Sequence, residues 1–124
     1  MASAVRVAVE TYIGLWRERD PAVRAVMIEA CFAEDGRIVL PTRELRGRAA
    51  LAREIETFQA DPQVAGIRIV SAVDAHGLTF RFAAALDRHD GTSSEAFDAG
   101  LIDGSGRICL ILTFGGRLAD APQT

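Results

Sequence analysis

Between Asp61 and Ile67 the spacing of apolar residues changes from a helical period to a strand period, and this switch constrains the fold more than any motif. Before it, Val5, Val9, Tyr12, Ile13 and Trp16 form one helical stripe that ends ahead of Asp20-Pro21. Asp20 reads as an N-cap with Pro21 at the first helical position, and Val23, Val26, Met27, Ala30 and Cys31 supply a second stripe. The Glu34-Asp35-Gly36 turn is expected to stop that helix. Arg37 to Pro41 reads as a short strand, with Thr42 to Arg46 as its edge partner. From Gly47 a third helix is expected, with Leu51, Ile55 and Phe58 on one face and Arg48, Arg53, Glu54 and Glu56 on the other, ending at Asp61-Pro62.

After the switch come four β-like runs: Ile67 to Val73, Leu78 to Leu86, Ser94 to Ile102 and Arg107 to Phe114. Turn segments at Asp74 to Gly77, Asp87 to Gly91 and Asp103 to Gly106 separate them, which predicts an antiparallel meander. Helices first and a curled sheet afterwards define an α+β domain, three N-terminal helices packed on a strongly curved, mainly antiparallel sheet. With 124 residues, 49% of them hydrophobic, and no repeat or linker, residues 1–124 are expected to form one domain.

The formal charge of -3 offers no basic footprint for a phosphate backbone or an anionic membrane, so nucleic-acid and membrane partners are disfavoured. No run of about 18 apolar residues occurs, and no basic segment followed by an apolar one opens the chain, so a cytoplasmic protein is expected. Cys31 and Cys109 are expected to be buried, reduced thiols. His76 and His89 fall in turns, and neither a metal site nor a cofactor is implied by these spacings. All 14 basic residues are Arg, planar forks of which most should be solvated.

Asp98 is the best clue to chemistry. It interrupts Glu95 to Ile102, a run that otherwise reads as a buried strand, where an ionised carboxylate without partners is costly. In a dry pocket its neutral form is favoured, and a neutral carboxyl can donate a hydrogen bond to a ligand oxygen. The competing reading is a surface carboxylate or a structural partner to an Arg. Ala96 and Gly100, two positions either side, would share its face and leave room for a ligand. Tyr12 turns inward on the first helical stripe, either as a satisfied interior tyrosine or as a ligand contact; Trp16 and Phe58 are core residues or a ligand platform. Arg81, between Phe80 and Phe82, either binds a carboxylate or crosses the sheet to a surface acid. Arg43, Arg46 and Arg48 read as a solvated edge.

The last strand is apolar on both faces: Ile108, Leu110, Leu112 and Phe114 alternate with Cys109, Ile111 and Thr113. One face can cover the helices, and the other, extended by Phe97, Ala99 and Leu101, needs its own cover. This predicts a homodimer formed sheet to sheet, the alternative being a C-terminal tail folded over the surface.

The element order and several local stretches are similar to the SnoaL-like branch of the nuclear transport factor 2-like, cone-shaped superfamily. The stretches are Tyr12-Ile13-Gly14-Leu15-Trp16 followed by Asp20-Pro21, Phe32 to Pro41, Leu45 to Leu51, and Asp103 to Ile108. The resemblance spans about Val5 to Gly116 and implies a cone enclosing a ligand pocket. It also suggests a comparison with ketosteroid isomerase-like members, in which a Tyr of the first helix and a protonated Asp of a late strand hold an enolate oxygen; Tyr12 and Asp98 match those positions. In that isomerase an apolar site keeps the Asp neutral, so that it can donate a hydrogen bond. The general base there is an Asp before a proline, and here the matching pair is Leu40-Pro41, so the proton acceptor is missing.

Two functional classes follow. In the first, a small, largely apolar ligand sits among Tyr12, Trp16, Leu40 and Phe58, with Asp98 as polar anchor and Arg81 a further ligand-binding candidate. In the second, an isomerase, cyclase or dehydratase uses Tyr12 and Asp98 as catalytic groups that stabilise an oxyanion. A third arrangement, a dimeric interaction module, requires a filled interior.

Overall fold

Asp20 caps its helix as its place before Pro21 predicts, its Oδ1 accepting from the Ala22 and Val23 amides. The computed structural model describes residues 3–116 and 118–122. The chain runs α1 (Ala4–Leu15), α2 (Pro21–Cys31), β1 (Phe32–Val39), β2 (Glu44–Arg46), α3 (Arg48–Ala60), β3 (Val64–Ile69), β4 (Asp74–His76), β5 (Thr79–Arg88), β6 (Ser93–Ile102) and β7 (Ile108–Gly115). The α+β architecture of three helices on a mainly antiparallel sheet is therefore as expected. None of the described helices is long and apolar enough to cross a membrane.

The strands form one sheet in the order β2-β1-β7-β6-β5-β3, with β4 pairing the other end of β5. β3, β5, β6 and β7 make the antiparallel meander, and the β1–β7 pairing is parallel. Two expected turns are not turns. Glu34-Asp35-Gly36 does not stop α2; the chain passes from Cys31 straight into β1, and these residues lie inside that strand at an irregularity between Phe32 and Arg37. Gly36 is small because the Phe32 ring crosses it: an added Cβ would lie 2.6 Å from that ring. Asp74 to His76, expected as a turn, is the short strand β4, and the tight reversal falls on Gly77 at φ 58°.

β7 also departs from the simple alternation its sequence suggests. Leu101 pairs with Leu110 but Ile102 pairs with Ile108, so the β6–β7 register slips at Cys109. A bulge of this kind moves every later side chain to the opposite face. Ile108 therefore points inward and is fully buried, whereas Leu110, Leu112 and Phe114 point outward with Leu101, Ala99 and Phe97. Both cysteines are free thiols, Cys31 buried and Cys109 only half-buried.

The core between the layers is continuous. Val9, Tyr12 and Ile13 of α1, Ile28 and Cys31 of α2, and Leu51 and Ile55 of α3 meet Phe80, Phe82, Ile102, Ile108 and Ile111 of the sheet. Several arginines fasten the helical corners rather than dissolving in solvent. The buried Arg24 donates to the Glu18 carbonyl at 2.9 Å and to Gln59 Oε1 at 3.1 Å, and Gln59 Nε2 donates in turn to the Trp16 and Glu18 carbonyls. Arg48 and Arg107 donate to the carbonyls of Phe32 and Glu29. Arg43 pairs with Glu54 and Arg46 with Glu44. A planar fork with several fixed donors can span two elements in this way, which a single ammonium does less well.

Candidate functional site

β6 sends Asp98 toward the helices because it pairs Phe82 on one side and Thr113 on the other, both inward-facing positions. The residue is 8% exposed, and Arg24 and Asp98 are the buried charged or polar residues among those described. Its Oδ1 accepts from Thr113 Oγ1 at 2.6 Å, and no described residue donates to Oδ2. No side-chain oxygen or nitrogen is both buried and unpartnered among the described residues, so Oδ2 keeps some access to solvent. Burial pushes the Asp98 carboxyl up to about 6, opposed by the Thr113 hydrogen bond. The neutral donor therefore persists to higher pH than in an ordinary aspartate, while the anion prevails above about 6.

Tyr12 lies inside as its place on the helical stripe predicts. Burial raises its hydroxyl well above the ordinary tyrosine range, and the Asp98 charge adds a smaller push in the same direction. Burial thus moves both groups toward their neutral, hydrogen-bond-donating forms. The Tyr12 ring meets Trp16 edge-on at 6.1 Å, and Trp16 meets Phe58 edge-on at 5.2 Å. Trp16 and Phe58 border a small hollow of about 110 Å³ with Gln59 and residues 64–66.

The expected single cavity lined by Tyr12, Trp16, Phe58 and Asp98 is not among the hollows described: none of the five includes Tyr12 or Asp98. Nor does Gly100 leave room beside the acid. A Cβ there would lie 2.2 Å from the Leu110 carbonyl oxygen and 2.7 Å from the Phe80 ring, so the space is already occupied. Leu40 instead lines a groove of about 290 Å³ at the sheet rim, with Val39, Pro41, the end of β7 from Leu112 to Gly115, and Gly116 and Leu118 beyond it. Thr113 lines this groove and bonds to Asp98, which links the rim to the buried carboxyl.

Arg81 is placed apart from the other candidates. Phe80 and Phe82 take the inward positions of β5, so Arg81 projects from the opposite face and donates to Asp74 Oδ2 at 2.8 Å. It is the surface ion pair that the sequence allowed and not a ligand contact beside Asp98. Thr113 carries no signal of a role in the sequence. Its position opposite Asp98 depends on the slip at Cys109, without which Leu112 would stand there.

No protein-family model matches the chain, and no curated protein matches its sequence. Solved structures do. A candidate isomerase of the SnoaL-like family from Agrobacterium tumefaciens superposes with a TM-score of 0.81 at 25% identity, covering 94% of this chain and all of that one. A cystatin-like-fold protein of unknown function from Methylobium petroleophilum gives 0.74 at 20% identity, covering 98% of this chain and 78% of that one. A de novo designed protein with a curved β-sheet gives 0.70 at 14% identity, covering 91% and 86%. The architecture is that of the nuclear transport factor 2-like α+β cone. Among the structures it resembles within that architecture is the SnoaL-like protein from Agrobacterium tumefaciens.

Proposed function

We propose that the protein binds a small, largely apolar molecule carrying a hydrogen-bonding oxygen, which enters over Leu40 and Pro41 and is anchored at Thr113 and Asp98. The observation that carries this reading is the buried Asp98 carboxyl, bonded on one oxygen to a threonine that borders an open groove. A groove of about 290 Å³ lies just below the range of roughly 300–1,000 Å³ usual for small-molecule sites, so the ligand is small. Leu40 and Pro41 supply apolar contact and no proton acceptor. Binding without turnover is therefore the primary reading.

A second reading, an isomerase, cyclase or dehydratase, is favoured by the raised values of both Tyr12 and Asp98. Tyr12, and Asp98 in the neutral form it takes below about pH 6, would stabilise a developing oxyanion while a substrate group or water carries the proton. The likeness to a candidate isomerase from Agrobacterium tumefaciens is compatible with it.

The test begins with mass spectrometry of whatever co-purifies, followed by NMR titration with small apolar ketones and phenols. Amide shifts at 39–41 and 113–115 are expected. Asp98→Asn should retain affinity, because its amide still donates, whereas Asp98→Leu should lose about tenfold, the worth of one hydrogen bond to a polar anchor. Equal affinities for the two variants, or shifts elsewhere, would overturn the reading.

A further inference from the structure

The hollow of about 110 Å³ at the end of α1 shares no residue with the groove over Leu40 and Pro41. Two aromatic rings and two guanidinium groups meet around it: Trp16 and Phe58 stand edge-on at 5.2 Å, and Arg17 and Arg19 line the same space from the turn between α1 and α2. These two arginines differ from those that fasten the fold. Neither forms an ion pair among the described residues. The Arg17 side chain makes no described hydrogen bond, and Arg19 makes one, at 3.3 Å to the Gln59 carbonyl. The acids on the flanking turns are engaged elsewhere, Asp20 with the Ala22 and Val23 amides and Asp61 with the Gln63 amide. Glu18, between the two arginines in sequence, does not line the hollow. A third guanidinium stands behind it: buried Arg24 donates to Gln59 Oε1 at 3.1 Å, while its acidic partner Glu56 is 3.7 Å away and largely exposed. The opposite wall is a bulge in the edge strand β3. Val64 pairs with Arg88 and Gly66 with Asp87, so Ala65 is extra in the ladder and its peptide groups fall outside the regular pairing.

We propose that this hollow binds a small aromatic carboxylate, its ring against Trp16 and Phe58 and its carboxylate held by Arg17 and Arg19. A guanidinium presents five N–H donors in a rigid fork that matches a carboxylate, and here two forks have no acid of the chain to satisfy them. The rings select what carries the charge. An inorganic anion would use the forks and leave the aromatic surface idle, whereas a neutral ring would leave two guanidinium groups without a counter-charge. A flat aromatic acid uses both. Size limits it further: a closed cavity of about 150 Å³ encloses a benzene ring, so an open hollow of about 110 Å³ seats a single ring with part of it in solvent. The floor is set before a ligand arrives, because Gln59 is fixed at both ends, its Oε1 by Arg24 and its Nε2 by the Trp16 and Glu18 carbonyls. Such prior ordering lowers the entropy lost on binding.

Trp16 is the only tryptophan in the sequence, so its fluorescence reports on this hollow alone. Titration with benzoate should change that fluorescence saturably and shift the amides of residues 17–19 and 64–66 in NMR spectra. Benzamide, which keeps the shape and loses the charge, should bind about tenfold more weakly or worse, and inorganic phosphate should not compete at equal concentration. Arg17→Gln and Arg19→Gln should each weaken benzoate about tenfold or more, the worth of a hydrogen bond between charged groups. Arg53→Gln, an exposed arginine outside the hollow, should leave binding unchanged, and unchanged circular dichroism melting in all three variants separates binding from folding. Asp98→Leu should leave benzoate affinity as it is, so this test stands apart from any ligand at the Leu40 groove. Absence of a saturable response, equal binding of benzamide or phosphate, benzoate affinity retained in both Arg17→Gln and Arg19→Gln, or amide shifts confined to 39–41 and 113–115 would overturn the proposal.

Discussion

Asp98 shows how one position can be costly to the fold and useful to a site. Its carboxyl is raised to about 6 by burial, so folding favours the neutral form more than the unfolded chain does. The folded value lies above the unfolded one. Its contribution to stability is therefore fully present below about pH 4 and is lost as pH rises through about 6, a loss of about 3 kcal/mol at roughly 1.4 kcal/mol per pH unit between the two values. Asp98→Asn removes that titration. Thermal unfolding of the two proteins from pH 4 to 8 should show the wild type losing stability relative to the variant; parallel curves would mean that the carboxyl is solvated. Asp98 and Tyr12 are legible in the sequence because an acid in an apolar strand and a tyrosine on a helical stripe are local signals. Thr113 is not legible, since its place opposite Asp98 is set by the bulge at Cys109, which no local pattern announces.

Helices are easier to read than strand ends for a related reason. Caps and stripes are fixed within a few residues, and Asp20-Pro21 and the Leu51, Ile55 face fall where the sequence puts them. Gly36 and Asp74 to His76 read as turns because glycine and aspartate mark turns in isolation, whereas here one yields to the Phe32 ring and the others pair with β5. Gly100 is the sharpest case of close approach. Gly100→Ala should destabilise the protein by about 2 kcal/mol or more, since its Cβ would collide with the Leu110 carbonyl and the Phe80 ring. Gly66→Ala, which meets nothing within 4 Å and has no positive φ, should change stability little or raise it slightly. Urea unfolding of both variants checks the contrast. Equal effects would mean that β6 can shift to admit a side chain.

The assembled layers explain why an interior carboxyl, an open rim and an apolar outer face occur together. Three helices cover one side of the sheet and pack a continuous core against it, and Thr113 joins the buried Asp98 to the groove beside Leu40. A designed protein with a curved β-sheet adopts the same architecture, so the fold alone does not dictate a ligand. What distinguishes this chain is the chemistry placed on that frame. The most direct test is to follow the Asp98 side-chain carboxyl carbon by NMR through a pH titration of the intact protein, alongside Thr113→Val. A carboxyl buried behind one threonine donor should titrate with a midpoint near 6 that rises further when that donor is lost. A midpoint near the ordinary aspartate value of about 4, unmoved by the substitution, would contradict a buried polar anchor at this position.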